Sequence, residues 1–440
     1  MASTVTISDR ASKTIREFLL PNLQENFWRL SKHPMLKALG YEKDETPMKG
    51  SGTPMRPRVK VPATAVGRRF EIEHLHTAFG GGVHAAAEDT TLRLGKFQSD
   101  RSYADAKFIQ GSFEVTRQAI AATRDKKFAL AREVQQNAMG VVHSMHWNLN
   151  RMIVGNANAV LCYVDGGVSN DTAVTVQTNT SGTNEVPATM HLNVGDELLI
   201  GTSGEITGGT AESVTVAAVT GATTFTADAN ETLSDNDIVV RADAYDTSGA
   251  TYTEATGFAS LITNTGNVQN INKANNAWFQ SGIDSSVGTV ALADLDAALV
   301  ACERYSHDPS QLFMLCNSTQ WRRIASLMSV TRNYDVETWK GNLVGGQMGL
   351  VHFGPSGKHA IFKDDMVPDG TIWVVDPNAF YWGEMAPFSF AEDALAMDGV
   401  PAQRKSGTLN YEFAFYMFGN LAQTNAPANY QLSGITGPSV

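Results

Sequence analysis

The sequence predicts an α+β fold that carries an inserted all-β domain. A long stretch of helical periodicity ends near residue 154, and the composition then shifts to Thr, Val, Gly, Asp and Asn with short β-like runs. Mixed helix and strand patterns resume at residue 258. Because host-like patterns stand on both sides of the β-rich stretch, we expect an insertion that projects from the surface, where insertions are tolerated.

The composition is that of a globular protein, with 42% hydrophobic and 18% charged residues among 440. No stretch approaches the roughly 20 apolar residues that span a bilayer, and the N-terminus lacks the pattern of a secretory signal. We therefore expect a soluble protein without a membrane partner. Cys162, Cys302 and Cys316 are scattered and lack CxxC spacing, which favours buried free thiols over disulfides or a zinc site.

The N-terminal 45 residues carry an amphipathic pattern. Apolar residues recur at spacings of three and four and are interrupted by Pro21, which predicts one or two short helices. These apolar residues are Ile15, Phe18, Leu19, Leu23, Phe27 and Leu30. From Glu42 to Arg69 the chain is polar, basic and rich in proline, a composition typical of an extended arm.

A long β-hairpin is predicted next. The run RRFEIEHLHTAF, residues 68–79, alternates apolar and charged side chains as a strand does. Gly80, Gly81 and Gly82 follow it and suit the tip of a hairpin. We expect the run AKFIQGSFEV, residues 106–115, to be the returning strand, although the separation is too long for a tight turn.

The clearest single element is a helix over residues 125–154. Its apolar residues recur every three or four positions from Phe128 to Met152. About 30 residues form a rod of roughly 45 Å, far longer than the average helix of about 12 residues, and Gly155 suits its C-terminal end. Such a rod with one apolar stripe is typical of a structural spine.

The insertion is predicted to be a small barrel or sandwich over about residues 165–246, with the β-like runs TAVTVQT, DELLIGT, ESVTVAAV, TTFTAD and DIVVRA. Its charge differs sharply from that of the preceding chain. Residues 156–260 hold 14 Asp and Glu against one basic residue, Arg241, whereas residues 1–155 hold 23 Lys and Arg against 15 Asp and Glu. The net charges are therefore −13 and +8, which indicates surfaces that face different surroundings.

The C-terminal part alternates helices and strands. Residues 292–305 read as a helix and residues 311–317 as a buried strand, and the run STQWRRIASLMS begins with Ser and Thr as a capped helix does. Residues 359–384 read as strand, turn, strand, turn and strand. Residues 408–427 hold one more strand, in which aromatic and other side chains alternate.

The sequence offers little for catalysis. His143 and His146 stand at i and i+3 on the long helix, a spacing that places two imidazoles within reach of one metal ion, but no third ligand follows. The glycine-rich runs lack the P-loop and dinucleotide-binding patterns, and no nucleophile elbow occurs. We therefore expect no enzyme activity, no metal and no cofactor.

Taken in order, these elements resemble the HK97-like fold of tailed-bacteriophage major capsid proteins, with its N-arm, E-loop, spine helix, peripheral (P) domain and axial (A) domain. The run GLVHFGPSGKHAIFKDDMVPDGTIWVVDPNAFYWGE is similar to the strand and turn series of the A-domain. The run LNYEFAFYMFGNLAQTNAP looks like the closing P-domain strand. The resemblance covers nearly the whole chain outside the insertion, which minimal members of the family lack.

The resemblance implies six segments. They are N-arm helices (1–45), an extended segment and E-loop (46–112), the spine helix of the P-domain (113–157), the inserted β domain on the outer surface (158–257), a mainly A-domain segment (258–403), and the closing P-domain strand with the C-terminal tail (404–440).

It also implies a major capsid protein that assembles into the hexamers and pentamers of an icosahedral shell enclosing double-stranded DNA. The protein would belong to the virion and assemble in the host bacterial cytoplasm. Its partners would be further copies of itself, DNA bound without sequence preference, and separate scaffolding, portal and decoration proteins.

A shell subunit buries apolar surface against its own copies and meets the genome through basic residues. The candidate contacts between subunits are Arg68, Arg69, Phe70, Phe79, Arg101, Phe380, Tyr381 and Trp382. The candidate basic arm facing the interior comprises Arg10, Lys13, Arg16, Arg29 and Lys32.

Two other functions stay open at this point. An encapsulin-like compartment shell would share the fold but enclose enzymes instead of DNA. A metal-dependent enzyme would use His143 and His146 as ligands.

Overall fold

A computed structural model describes residues 56–60, 69–77, 97–116, 127–180, 184–246, 251–331, 350–390, 402–404 and 411–436 of the chain. The predicted N-terminal helices, the glycine tip of the hairpin, and the candidate contacts Arg68 and Phe79 lie outside these residues. The candidate arm residues Arg10, Lys13, Arg16, Arg29 and Lys32 lie outside them as well. Among the described residues, no helix is both long enough and apolar enough to cross a membrane.

The first of two large sheets is built around one long strand. Its five strands are β1 (Arg56–Lys60), β4 (Lys107–Val115), β20 (Phe380–Phe390), β21 (Ala402–Arg404) and β22 (Tyr411–Gln423). Strand β22 pairs antiparallel with β4 on one side and with β20 and β21 on the other, and β1 pairs parallel with β20. Strand β22 is thus paired along both edges, and from Glu412 to Phe418 its side chains alternate between half-buried and buried, as the alternation in its sequence predicts.

The predicted spine helix is confirmed as α1 (Lys127–Val154), whose 28 residues make a rod of about 42 Å. It lies along one face of the first sheet, where Val142, Met145 and Leu149 share a core with residues of β4 and β22. The sheet residues in this core are Ile109, Val115, Phe413, Phe415 and Met417. An added side chain at Gly111 would collide with Val141, so the helix lies close against β4.

The predicted hairpin exists, but its returning strand is a different one. Strand β2 (Arg69–Thr77) pairs antiparallel with β3 (Phe97–Asp105), from Arg69 opposite Asp105 to Thr77 opposite Phe97. The expected returning strand, β4, instead pairs with β22. The physical reason is that one face of β4 is apolar and is buried in the core under α1. The sequence of β3, FQSDRSYAD, is mostly polar and has no comparable apolar face to bury.

The insertion is a closed barrel, which confirms the predicted all-β domain. Its strands are β5 (Cys162–Val164), β6 (Val168–Gln177), β7 (Glu197–Gly201), β8 (Glu212–Val219), β9 (Thr224–Leu233) and β10 (Ile238–Arg241), closed in the order β10-β5-β6-β9-β8-β7. Alternate residues of each strand point inward and fill the interior, among them Val174, Ile200, Phe225 and Val239. A short helix, α2 (Ser203–Gly208), follows β7 and begins with a capping box at Thr202.

The chain leaves for the barrel and returns from it at one place, the C-terminal end of α1. An added Cβ at Gly257 would lie 2.2 Å from the carbonyl oxygen of Met152 and 2.4 Å from that of Gly155. The returning chain therefore touches the last turn of the helix that the outgoing chain has just left. Helix α3 (Phe258–Leu261) begins immediately after Gly257.

The second sheet has six strands in the order β15-β23-β19-β16-β18-β17. These are β15 (Gly282–Asp284), β16 (Phe313–Cys316), β17 (Leu350–Gly354), β18 (Gly357–Lys363), β19 (Ile372–Val375) and β23 (Tyr430–Leu432). Two helices accompany it, α4 (Leu292–Glu303) and α5 (Ser318–Thr331). Two small strand pairs complete the described part, β11 (Tyr245–Asp246) with β12 (Thr251–Tyr252) and β13 (Asn267–Val268) with β14 (Ile271–Asn272).

The predicted elements of the second sheet are confirmed, with one correction at a helix cap. Helix α5 is capped by the side chain of Asn317, which accepts a hydrogen bond from the amide of Gln320 at 2.9 Å, and not by the Ser or Thr that the sequence suggests. The division of the strands between the two sheets also differs from the expected segment boundary at residue 403. Strand β20 precedes it but belongs to the first sheet, and β23 follows it but belongs to the second.

We expect Gly257→Ala to lower the free energy of unfolding by about 3 kcal/mol or more, because a methyl group has no space among fixed carbonyl oxygens. Urea unfolding would measure the change. The matched control is Gly140→Ala in α1, where an added Cβ meets nothing within 4 Å. This variant should leave the free energy of unfolding unchanged or raise it by up to about 1 kcal/mol. Equal stabilities of the two variants would contradict the close contact at Gly257.

Candidate functional site

The aromatic run at the start of β20 lies inside the subunit. Phe380 and Trp382 are fully buried on the α1 side, where the ring of Phe258 lies 4.9 Å from that of Phe380. Tyr381 points to the opposite face and is buried there, which raises the pKa of its hydroxyl. The expectation that these three residues contact neighbouring subunits is therefore corrected, because the chain's own elements already bury all three side chains.

The base of the hairpin covers part of the sheet face opposite α1. Ile72, Ala104 and Ala106 pack there against Tyr381 and Ala422. Nine paired residues in each strand give the hairpin a length of about 30 Å. Of the predicted contact residues, Arg69 and Phe70 lie in β2 near the base, and Arg101 is an exposed residue of β3.

An aromatic patch on the same sheet face is exposed beside the hairpin base. The side chain of Phe108 is 53% exposed, and its ring lies 5.8 Å from the ring of Tyr416 and 6.3 Å from that of Phe418. The sequence analysis missed this patch. The signal was the alternation of β4, which places Phe108 on the face opposite Ile109.

A buried amide joins the hairpin, the barrel return and β22. The Asn420 amide group donates to the carbonyl of Asp105 at 2.7 Å, and its oxygen accepts from the amide of Thr256 at 2.8 Å and from the Thr256 hydroxyl at 2.7 Å. Asn420 is almost completely buried, so each of these bonds is made away from water. The root of the hairpin is therefore tied to the point where the chain returns from the barrel.

Two carboxylates fasten the barrel to the second sheet. Glu185 of the barrel accepts hydrogen bonds from the Asn317 side chain, the Gln320 side chain at 2.9 Å and the Gly370 amide at 3.1 Å. It also forms an ion pair with Arg323 at 3.3 Å. This set of donors converges on one largely buried carboxylate, so the barrel docks in a defined orientation.

Asp369 reinforces the contact from the other side. Its carboxylate accepts from the Thr178 hydroxyl, from the Asn179 side chain at 3.0 Å and from the Glu185 amide at 3.2 Å. Burial raises the pKa of Asp369, and the hydrogen bonds from Thr178 and from the Glu185 amide act in the opposite direction. A cavity of about 400 Å³ lies beside Asp369, between the barrel and the second sheet.

A second set of polar contacts fastens the barrel to α1. Arg151 forms an ion pair with Glu254, and Arg241 donates to the Asn148 side chain at 2.9 Å. Burial, with the nearby charges of Arg151 and Arg241, lowers the pKa of His191 to about 3. The one basic residue of the barrel thus faces the helix.

The outward surface of the barrel is acidic. Its exposed carboxylates are Asp165, Asp171, Glu197, Glu205, Glu212, Asp228, Asp235 and Asp243. Much of the negative charge that the sequence places in residues 156–260 is therefore exposed on the surface of the barrel.

Lys273 is buried at the connection between the two sheets. Its ammonium group donates to the carbonyls of Leu261 at 2.5 Å and Thr263 at 3.0 Å and to the Gln423 side chain at 3.3 Å, which uses all three donors. The nitrogen also lies 5.1 Å from the centre of the Phe279 ring. Burial lowers the pKa of Lys273 to about 7.

The residues singled out for catalysis are not brought into a site. His143 is exposed and His146 is buried, and in the described part of the chain no group of three or more His, Cys, Asp and Glu could hold a metal ion. The three cysteines are buried free thiols. Burial raises the pKa of each thiol, that of Cys162 to about 12, which disfavours the thiolate that nucleophilic chemistry needs.

We expect Glu185→Ala to lower the free energy of unfolding by about 3 kcal/mol, because the buried side chains of Asn317 and Gln320 lose their common acceptor. Hydrogen exchange should be faster around residues 184–190 and 366–371. Urea unfolding and exchange measured by mass spectrometry would test both effects. Glu197→Ala removes an exposed carboxylate of the same barrel and should change stability by less than about 0.5 kcal/mol.

Lys273 predicts a defined pH dependence of stability. Its pKa is about 7 in the folded chain against an ordinary value of 10.5, so the unfolded chain binds more protons between these values. The contribution of Lys273 to the free energy of unfolding therefore rises with pH from about 7 to about 10, by at most about 1.4 kcal/mol per unit.

Below pH 7 the lysine is charged in both states, and its contribution is constant. In urea unfolding at pH 6, 7.5 and 9, wild type should therefore gain stability relative to Lys273→Met only above pH 7. The control is Lys358→Met, which changes an exposed lysine, and wild type should show no such gain relative to that variant. A difference between wild type and Lys273→Met that does not vary with pH would contradict the lowered pKa.

Comparisons with known proteins were made by sequence and by structure. No protein-family model matches the sequence, and no curated protein matches it. Among solved structures, the chain is similar to that of the cyanophage A-1(L) capsid asymmetric unit, at 10% identity over 84% of this chain and 88% of that one, with a TM-score of 0.47.

It is also similar to the capsid of a native GTA particle, at 11% identity over 92% and 100% of the two chains, with a TM-score of 0.41. A third likeness is to a virus-like particle from Pyrococcus furiosus, at 9% identity over 94% and 100% of the two chains, with a TM-score of 0.35. All three of these solved structures are capsids or virus-like particles.

Proposed function

We propose that this chain is a shell subunit, the major capsid protein of a tailed bacteriophage, with a structural and not a catalytic role. The observation that carries the proposal is the β2–β3 hairpin. It is a separate two-stranded ribbon about 30 Å long, and its base packs on Tyr381 and Ala422. A two-stranded ribbon is at best marginally stable in water, so a hairpin of this kind gains by lying on a neighbouring subunit.

The order of the elements supports the same function. The hairpin precedes the long helix α1, the barrel is inserted after α1, and β22 closes the first sheet late in the chain. This is the order that the resemblance to HK97-like capsid proteins implies. In the proposed subunit the hairpin is the E-loop, α1 is the spine, the first sheet belongs to the P-domain and the second sheet to the A-domain.

The charge distribution supports an orientation for the subunit. The barrel exposes eight carboxylates, and its single basic residue faces α1, whereas residues 1–155 carry a net charge of +8. In the proposed shell the barrel is on the outside, and the basic N-terminal region meets packaged double-stranded DNA. Lys and Arg attract phosphate without regard to sequence, and added salt weakens that attraction.

In this proposal the chain assembles with its own copies into the hexamers and pentamers of an icosahedral shell. Its other partners are the packaged DNA and separate scaffolding, portal and decoration proteins. Assembly would take place in the cytoplasm of the bacterial host. A compartment shell that encloses enzymes is the other function with this fold, and the contents of purified particles distinguish the two.

Electron microscopy and sedimentation of the purified full-length chain, alone and with candidate scaffolding proteins, would test the proposal. We expect rings, sheets or closed shells in place of monomers. Particles from infected cells should contain DNA, and particles that contain a protein cargo would indicate the compartment shell. A chain that stays monomeric under every condition would contradict both.

A shortened hairpin tests the observation that carries the proposal. Replacing residues 73–101 by Asn-Gly joins Ile72 to Ser102, which are partners in the native register, through a two-residue turn. We expect this variant to keep the circular dichroism spectrum and unfolding midpoint of wild type but to form no shells. Glu197→Ala, with an altered barrel surface and an intact hairpin, should assemble normally. Shells built from the shortened variant would overturn the role of the hairpin.

A further inference from the structure

The β17–β18 hairpin of the second sheet is fastened to helix α4 at two points. In the middle of β17, His352 bonds to the Asp296 carboxylate at 2.7 Å. At the turn, the Ser356 amide and hydroxyl both donate to the Glu303 carboxylate, the amide at 3.1 Å. Asp296 and Glu303 are seven residues apart and therefore lie on one face of α4, two turns from each other. The turn at residues 354–357 is held against this face.

His359 lies at the centre of this contact and is completely buried. Its Nδ1 is 3.0 Å from the carbonyl of Leu312 and therefore carries the proton of the neutral ring. Its Nε2 faces the Ser356 hydroxyl at 3.3 Å. That hydroxyl donates its proton to Glu303, so Nε2 is the ring atom that remains able to take up a proton.

No space for water exists on the Gly354 side of the ring. An added Cβ at Gly354 would lie 2.9 Å from Cδ2 and 3.2 Å from Nε2 of His359, and 2.7 Å from a methyl carbon of Leu299. The backbone of the turn and the side chain of Leu299 thus close this side of the imidazole. Hydration of the ring from this side requires the turn to leave α4.

The charged groups that face His359 are few. Glu303 on α4 favours the protonated ring, and His352, its partner across the two strands, opposes protonation. Lys358 lies on the other face of the hairpin, over the Phe353 ring at 5.5 Å. Burial is the largest effect and lowers the pKa of His359, with the Leu312 carbonyl acting in the opposite direction.

We propose that the β17–β18 turn is an acid-released clasp, in which uptake of a proton by His359 favours the state where residues 354–357 have left α4. In that state the imidazolium is solvated and the Glu303 carboxylate returns to water. The atoms balance simply, because one proton moves from solvent to Nε2 and no covalent bond breaks. The clasp is a property of one subunit and holds whether or not the chain forms shells.

The sign of the pH dependence follows from the two states. A solvated histidine has a pKa of about 6.5, and the docked His359 has a lower one, so the released state binds more protons. Docking is therefore at full strength above pH 6.5 and weakens as the pH falls below it. One proton limits the change in the opening equilibrium to about tenfold per pH unit.

Hydrogen exchange of the full-length chain at pH 7.5, 6.5, 5.5 and 5.0, corrected for intrinsic exchange rates, would measure the opening of residues 350–363. In wild type we expect opening to increase below pH 6.5, by up to about tenfold per unit. His359→Asn keeps a donor for the Leu312 carbonyl but cannot titrate, and its opening should not vary with pH. His143→Asn, which changes an exposed histidine on α1, should behave as wild type.

A pH dependence that persists unchanged in His359→Asn would overturn the proposal and assign the effect to another group. If the asparagine variant does not dock its turn at neutral pH, NMR titration of wild type with labelled histidine gives a second test. A His359 imidazole that titrates below 6.5, together with faster exchange in acid, supports the clasp. Titration at or above 6.5 would overturn it.

Discussion

The structure depends on strand β22, because the first sheet, helix α1, the base of the hairpin and the chain returning from the barrel are all fixed to it. Its two edges pair with β4, β20 and β21, and its buried face forms the core with α1. Near its end, Asn420 holds the root of the hairpin and the chain returning from the barrel, and Gln423 accepts from Lys273. A strand paired on both edges and covered by apolar side chains is among the least mobile places to anchor these connections.

The barrel is an insertion whose position relative to the host is well determined. Its two ends meet at Gly257, its wall is fastened to α1 through Arg241, and Glu185 and Asp369 fasten it to the second sheet. These contacts are polar and largely buried, and such contacts demand specific partners because an unmade hydrogen bond is costly in the interior. A projecting domain can therefore hold a fixed orientation without a large apolar interface. The acidic outer surface of the barrel is therefore held in a constant direction relative to α1 and the second sheet.

The two faces of the first sheet are covered to different extents. One face of the first sheet is completed by α1, and the other is only partly completed by the hairpin base, which leaves Phe108 exposed. The aromatic run at residues 380–382 has the opposite role, since it fills the subunit's own core. Exposure thus distinguishes aromatic residues that hold a subunit together from those available for contacts between subunits.

Local periodicity in the sequence was sufficient to determine the long helix, the inserted β domain, and most strands of the second sheet. Periodicity shows which side of an element is buried, but not which element covers it. For this reason β4 was assigned to the hairpin when its partner is β22, about 300 residues later, and residues 380–382 were assigned to contacts between subunits. The polar contacts of Glu185, Lys273, His359 and Asn420 cannot be predicted from the periodicity of the sequence, because each joins residues that are far apart in the chain. Only the tertiary structure, which brings distant donors and acceptors within 3 Å or so of each other, decided those partners.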